Sequence, residues 1–451
     1  MIQKKTYLRL LIFVGIIFFA CKQHDIVETN SSSVPCEEET DSPSISEDEI
    51  DKDSFVEQLS EERGIQIVTV NKFDQNPILV NDVICLILPY KSDICIDGVY
   101  VNNSKDKSAQ LLSFTHLTFG WHEIQIMDIE SKYILYLNHI SGLPNLLVSE
   151  KIIKDGRYAK RTRYNKKYLK YLRNDYSIDY EFLGWYGGDY SNCIYDENGI
   201  PMVNYYGSLE YNPVVIAQFA LSFYNGKEII NTDDSNHFLE IASFLCDYIS
   251  DDGGAPYNFE YSIHGIPLNN PWYSAMAQGH ILSVFSRAYL INGEEKYILK
   301  GKKVFDFMVN SCKVDLASFT QLHPDLTKYQ DYYIYEEYVA KIGNYVLNGN
   351  LFALIGLHDW YELTNNSEVL NAFLDGCKTI ELLLPYYDYY GTTSYDLVHL
   401  VNNTNWIEFD STYAHDYHIV LLDALFKFTN NQVFEKYKDI FISYYEDPIY
   451  N

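Results

Sequence analysis

Residues 273–311 read YSAMAQGHILSVFSRAYLINGEEKYILKGKKVFDFMVNS. Apolar positions recur at a helical period on both sides of Ile291-Asn292-Gly293. The spacing therefore predicts helices over 273–292 and 295–311, folded back on each other across that short link. Ala275, Ala277 and Gly279 give the first helix small side chains, which let it approach a neighbour closely. The pairing repeats from Tyr211 onward, with helices predicted near 212–225 and 235–250, 346–364 and 367–384, and 416–429 and 432–445. Thr364-Asn365-Asn366 is another short link, whereas segments of about 20–35 residues separate successive pairs. Stacked helical hairpins of this kind curl into an (α/α) toroid, here an incomplete one of about four hairpins over residues 199–451. The long segments would then emerge together at one end and form a groove.

Upstream the period changes to two. Ile67-Val68-Thr69-Val70, Val83 to Leu88, Val99-Tyr100-Val101, Ser113 to Phe119, Glu123 to Met127 and Tyr133 to Leu137 read as short strands. Asp97-Gly98 and Phe119-Gly120 are turn signals between them. This predicts a β-sandwich-like accessory domain over residues 64–150 and makes the chain α+β. Residues 151–198 connect the two parts. Ten of the 34 Lys and Arg of the chain fall within 151–173, interleaved with Tyr158, Tyr164, Tyr168 and Tyr171. That stretch reads either as the solvated face of a connecting helix or as a surface for a polyanionic glycan.

Residues 1–21 read as an export signal. Lys4, Lys5 and Arg9 precede an apolar run from Leu10 to Ala20, about eleven residues, too short to span a bilayer. The Ala20-Cys21 junction resembles the lipobox of bacterial lipoproteins. It implies lipidation at Cys21 and anchoring to a bacterial membrane, the outer membrane being the expected one. The plainer alternative is a secretory signal with an incidental cysteine. Residues 22–63 are rich in Ser and acids and poor in large apolar side chains, so they are expected to be a disordered tether. A net charge of −28 argues against a nucleic-acid partner. The eight cysteines show no CxxC pair and no metal-like spacing. Cys246, Cys312 and Cys377 fall in apolar helical patterns as buried thiols, while Cys85 and Cys95 are close enough in sequence to pair across strands. No HExxH or glycine-rich phosphate loop is present, so neither metal nor cofactor is expected.

Residues suited to chemistry gather in the long segments. They are Tyr205, Tyr206 and Tyr211, then Trp272 and Tyr273, then Tyr335-Glu336-Glu337-Tyr338, then Ser394-Tyr395-Asp396-Leu397-Val398-His399 and His415-Asp416-Tyr417-His418. Tyr, Glu and His converging from several loops suit an acid–base site in a sugar groove. Glu336 also reads as a helix-start acid, and Asp396 and Asp416 as caps.

Several of these blocks resemble the D-glucuronyl C5-epimerases. Gly199-Ile200-Pro201, Tyr211-Asn212-Pro213 with Ile216-Ala217-Gln218, and Pro271 to Gly279 followed by Arg287-Ala288-Tyr289-Leu290 are similar to the family in order and spacing. So are Tyr335 to Tyr338, Val346-Leu347-Asn348-Gly349 with Leu354-Ile355-Gly356-Leu357, Tyr395-Asp396-Leu397 with His399, and Asp416-Tyr417-His418. The resemblance covers roughly residues 199–445 and implies inversion of C5 of D-glucuronate within an acidic polysaccharide. It places proton transfer at Glu337, Tyr338, Tyr395 and Tyr417, with Tyr417 and Glu337 as the pair. Substrate contacts fall at Tyr211, Trp272, Tyr273, Gln278, Asn348, His399 and His418. Tyrosine needs a lowered pKa to act as a base at neutral pH, and His399 and His418 are the nearest groups to provide that. In one place the chain departs from the family. Val398 stands where the family's block has an arginine expected to face the substrate carboxylate, so either Lys341 or Arg287 takes over or the substrate lacks that carboxylate, in which case its C5 proton is too weakly acidic for epimerisation. The alternatives are a uronate polysaccharide lyase, a surface glycan-binding lipoprotein on an epimerase scaffold, and, less well supported, a glycoside hydrolase using Glu337 with Asp396 or Asp416.

Overall fold

A computed structural model describes residues 65–149 and 194–444, apart from 71–77, 89–91, 103–108, 119, 128–130, 138–144, 226–227, 230–231, 319–323, 389–392 and 402–411. Cys21, the tether and the basic stretch 151–173 lie outside the described residues. Among those described, no helix is long and apolar enough to cross a membrane. The chain mixes helices with several small sheets, none of them closed.

The N-terminal part has two sheets. β1 (Gln66–Thr69), β3 (Val83–Ile87) and β6 (Ala109–Ser113) form one, in the order β1-β3-β6. The other holds β2 (Ile78–Val80), β4 (Ile94–Ile96), β5 (Val99–Asn102), β7 (Gly120–Ile126), β8 (Ser131–Leu137) and β9 (Asn145–Ser149), in the order β2-β9-β8-β7-β4-β5. Val68, Ile84, Leu86 and Leu112 of the first sheet share one core with Ile94, Ile124, Ile126, Leu135 and Leu147 of the second. Asp97-Gly98 turns β4 into β5 with φ of 50° and 77°, the type I′ geometry that suits the twist of paired strands. Two expectations fail here. The strand predicted from Ser113 to Phe119 ends at Ser113, because Phe114 N–H bonds Asp82 O and Leu117 N–H bonds Phe114 O in a turn. Cys85 and Cys95, on strands of different sheets, are free and buried and do not pair.

The C-terminal part is built from paired helices. These are α1 (Pro213–Leu221) with α2 (Thr232–Tyr248), α3 (Ala275–Asn292) with α4 (Glu295–Ser311), α5 (Leu347–Thr364) with α6 (Ser367–Tyr387), and α7 (Thr412–Thr429) with α8 (Gln432–Ser443). Asn212, Ser274, Asn366 and Asn431 start four of them by accepting a backbone N–H in the first turn. Within three pairs the chain reverses on one left-handed residue, Gly293, Asn365 or Asn430. The leading helices pack in sequence, α1 on α3, α3 on α5 and α5 on α7, with each trailing helix against its own partner. At the α3–α5 crossing a methyl group on Gly356 would sit 2.1 Å from the Gly279 carbonyl oxygen. Only glycines allow that approach, which is why α3 and α5 are buried nearly all round.

The segments between pairs carry small hairpins. β10 (Ile194–Tyr195), β11 (Pro201–Tyr205) and β12 (Ser208–Glu210) precede α1, and inside the first pair, between α1 and α2, β13 (Tyr224–Asn225) pairs with β14 (Glu228–Ile229). β15 (Tyr261–Ile263) and β16 (Ile266–Leu268) precede α3, and β17 (Lys313–Asp315) pairs with β18 (Tyr333–Tyr335) before α5.

Candidate active site

Where β18 ends, Glu336 and Glu337 are held by their backbone. Glu336 N–H bonds Cys312 O, and its carbonyl accepts from Ala275 N at the start of α3. Further on, Leu347 N–H donates to Tyr395 O and Leu397 N–H to Asn344 O, so the 395–397 segment lies beside the lead-in to α5. This register brings Tyr395 Oη to Glu337 Oε2 at 3.3 Å. Glu337 in turn lies over the first turn of α5, where a methyl group on Gly349 would meet its Cβ and Oε2 at 2.5 Å. Tyr338 bonds both Glu337 and Tyr395. Three of the four expected proton-transfer residues therefore form one cluster.

Burial dominates the protonation of this cluster. It raises the Glu337 carboxyl to about 7, helped by the charge of Asp396 and opposed by the hydrogen bonds from Tyr338 and Tyr395. Glu336 is fully buried and is pushed to about 8 by the same cause. Tyr338 and Tyr395 are driven well above the usual tyrosine value by burial and then by the Glu337 charge. They are neutral phenols at pH 7, able to donate a proton but not to take one. The expected lowering by a histidine is thus reversed. His418 is buried with Nδ1 3.0 Å from Thr393 Oγ1. His399 lies on the single turn Val398–Val401, and its side chain is outside the described part of the structure.

An aromatic wall flanks the cluster. Trp272 stacks on Tyr257 at 3.7 Å and on Tyr261 at 5.6 Å, and Tyr261 stacks on Tyr338 at 5.9 Å. Tyr205 stacks on Phe259 at 4.2 Å and is pushed to about 12 by burial, with the Glu337 charge a lesser contributor. The sequence drew attention to Trp272, Tyr338 and Tyr205; Tyr257, Phe259 and Tyr261 carried no signal apart from being aromatic. On the far side Asp396 is fully buried, with Oδ2 2.5 Å from His264 Nε2 and Oδ1 accepting from Val398 N. His264 was missed, because a single histidine before a glycine reads only as a turn.

The remaining expected residues are placed as follows. Asn348 is in the first turn of α5 beside Gly349, buried, with Oδ1 lacking a hydrogen-bond partner. Tyr417 is buried on α7, its ring edge-on to Phe352 at 6.4 Å, one turn beyond Gly349 on α5. Tyr273 accepts Val339 N–H through its carbonyl, while its ring packs against Phe307. Tyr211 donates to Asp196 Oδ2 at 2.6 Å and packs on Phe244 and Tyr248.

Gln278 corrects the expectation of a substrate contact. Its Oε1 accepts from Ala255 N and its Nε2 donates to Gly253 O and Val304 O, so the amide is a fully buried brace between α3, α4 and the preceding loop. Glu336 is not a helix-start acid either, since its Oε1 accepts from Tyr345 N in a turn. Arg287 cannot serve a substrate carboxylate: it is buried and bonded to Asp359 Oδ2 at 2.6 Å and to Ser283 O. Val398 is fully buried, and Lys341 is exposed three residues after Tyr338.

Residues 250–443 match the family model described as D-glucuronyl C5-epimerase C-terminus. A D-glucuronyl C5-epimerase of Caenorhabditis elegans is 32% identical over 227 residues, covering 47% of this chain and 35% of that protein. An uncharacterized protein of Methanocaldococcus jannaschii is 29% identical over 182 residues, covering 40% of this chain and 54% of its own. The chain thus spans about a third and about half the length of these relatives. Among solved structures, a D-mannose isomerase aligns at a TM-score of 0.38 with 13% identity, over 63% of this chain and 71% of that one. A family 76 glycoside hydrolase from a bovine Bacteroides thetaiotaomicron strain aligns at 0.37 with 10% identity, over 82% and 75%. A polysaccharide lyase aligns at 0.34 with 11% identity, over 64% and 73%.

Proposed function

We propose, from the premise that residues 250–443 form a D-glucuronyl C5-epimerase C-terminal domain, that this chain is a carbohydrate-modifying enzyme that inverts C5 of D-glucuronate in an acidic polysaccharide. The observation that carries the reading is Glu337, a carboxylate tuned to about 7 and in contact with two neutral phenols beside an aromatic wall. C5 lies next to the substrate carboxylate, so loss of its proton leaves an electron pair delocalised into that group as an enolate. Glu337 takes the proton, at a pKa suited to both accepting and releasing it near neutral pH. Tyr338 and Tyr395 position the sugar and donate hydrogen bonds to the developing negative charge. Tyr417 returns a proton on the opposite face, forming the new C5–H bond as the enolate collapses.

The leading helices α1, α3, α5 and α7 are read as an arc of an (α/α) toroid and the two N-terminal sheets as a sandwich-like accessory unit. Export and a lipid anchor at Cys21 belong to the same proposal. Lys341 is the cation left to meet the uronate carboxylate, with Val398 in place of the arginine. That buried valine also favours a second reading, a glycan-binding protein without turnover on the same scaffold. Incubation with a heparosan-type polymer separates them. Proton NMR signals of L-iduronate, without an unsaturated product absorbing in the ultraviolet, support the epimerase. An unsaturated product would make it a lyase, and binding with unchanged polymer would support the non-catalytic reading.

A further inference from the structure

The β15–β16 hairpin turns on His264 and Gly265, with φ of 52° and 74°. Asn-Gly and Asp-Gly are the pairs that such a type I′ turn favours; histidine tolerates positive φ as well, but the turn does not dictate where its ring goes. Instead of facing solvent the ring turns inward, 12% exposed, to reach an aspartate 132 residues away in sequence. We infer that His264 is a positioning residue of the active site, clasping Asp396 and through it the backbone that carries Tyr395. The inference rests on the functional reading above.

The contacts close a circuit. From His264 it runs to Asp396 at 2.5 Å, along the chain to Tyr395, and through its hydroxyl to Glu337 at 3.3 Å. Tyr338, bonded to Glu337, then stacks on Tyr261, which begins the hairpin whose tip is His264. A carboxylate as buried as Asp396 is costly unless its oxygens are met by polar partners, and the His264 ring nitrogen at 2.5 Å meets one of them. Its other oxygen is engaged by Val398 N, so Asp396 is oriented from two sides. Tyr395 O and Leu397 N, on either side of it, bond Leu347 N and Asn344 O, which transmits that orientation to the start of α5. The charge of Asp396 also bears on Glu337 and Glu336, so the placing of this one carboxylate reaches both.

The test compares the full chain with His264→Ala, His264→Gln, Asp396→Asn and the double variant His264→Ala/Asp396→Asn. Released from its clasp, Tyr395 is misplaced by a fraction of an ångström to an ångström, and kcat for C5 hydrogen exchange is expected to fall about 10²-fold. KM should stay within about threefold, because the aromatic wall is intact. His264→Gln, which keeps a donor, loses less and carries the test should the alanine variant not fold. In an Asp396→Asn background the His264→Ala change should add no further loss. A second readout is independent of turnover. Amide hydrogen exchange of residues 261–268 and 393–398 should accelerate together in His264→Ala and not in Glu337→Gln. Unchanged kcat and unchanged amide protection in both His264 variants would overturn the inference. If the wild type moves no C5 proton on any uronate polymer, it is the functional reading that fails, and amide protection alone then decides the role of His264.

Discussion

Glu337 and Glu336 are adjacent in sequence, yet the fold gives them different work. Glu337 faces two phenols and is set near 7, so kcat/KM for C5 exchange should rise with pH through about 7 as it ionises. Glu337→Gln should abolish that limb together with most of the rate. Glu336 faces inward to Tyr345 N and holds its proton to about 8. Both carboxyls bind protons more tightly folded than unfolded, so stability falls as pH rises from their ordinary 4.5 through about 7 and 8. Melting temperatures between pH 5 and 8 should show this fall, and Glu336→Gln should flatten it. Gly349→Ala tests the placing of Glu337, since the new methyl group would meet its side chain at 2.5 Å. Glu337 Oε2 can swing aside but its Cβ, fixed to the backbone, cannot, so activity should drop about 10²-fold and the melting temperature should fall with it. At this scale the sequence was informative where blocks of unlike residues stood together, as at Tyr335 to Tyr338 and Tyr395 to Asp396. It misled at Gln278, because a motif that packs α3 against α5 holds structural and substrate-facing residues in the same few positions. His264 was invisible because its partner is 132 residues away.

Among the elements, the helices were legible and the strands less so. A helix declares itself by its own period and caps, and the predicted pairs agree with α1 to α8 to within a few residues. A strand depends on its neighbours. The parallel pairing of β1 with β3 joins segments whose match lies in no local pattern, and β2 and β4, three residues each, are too short to show a period. The α3–α5 crossing makes the sharpest prediction here. Gly356→Ala would drive a methyl group against the Gly279 backbone, which cannot rotate away, and should cost about 3 kcal/mol or more. Urea unfolding would measure it. Arg287 belongs to the same crossing through Asp359, and breaking that buried pair with Asp359→Asn should cost on the order of 3–5 kcal/mol. Any loss of turnover in that variant should track loss of folded protein, without a change in KM.

For the whole molecule, charge sets the terms of substrate capture. On the proposed reading, a chain of net charge −28, with Glu337 and Asp396 at the site, has to draw in a polyanion. Like charges repel less as salt rises, so KM for a uronate polymer should fall between low and physiological ionic strength, the reverse of a basic glycan binder. The paired helices and the longer segments between them were legible as one pattern of short and long connections, whereas how the segments meet depended on backbone bonds such as Leu347 N to Tyr395 O. The central claim is that the Glu337 cluster moves a proton at C5. Its most direct test is to incubate the purified chain with heparosan-type polymer in D2O and follow the C5 proton by NMR. The expected result is deuterium at C5 of glucuronate, strongly reduced by Glu337→Gln and Tyr395→Phe. Full retention of the C5 proton across uronate polymers, with polymer binding intact, would contradict the account.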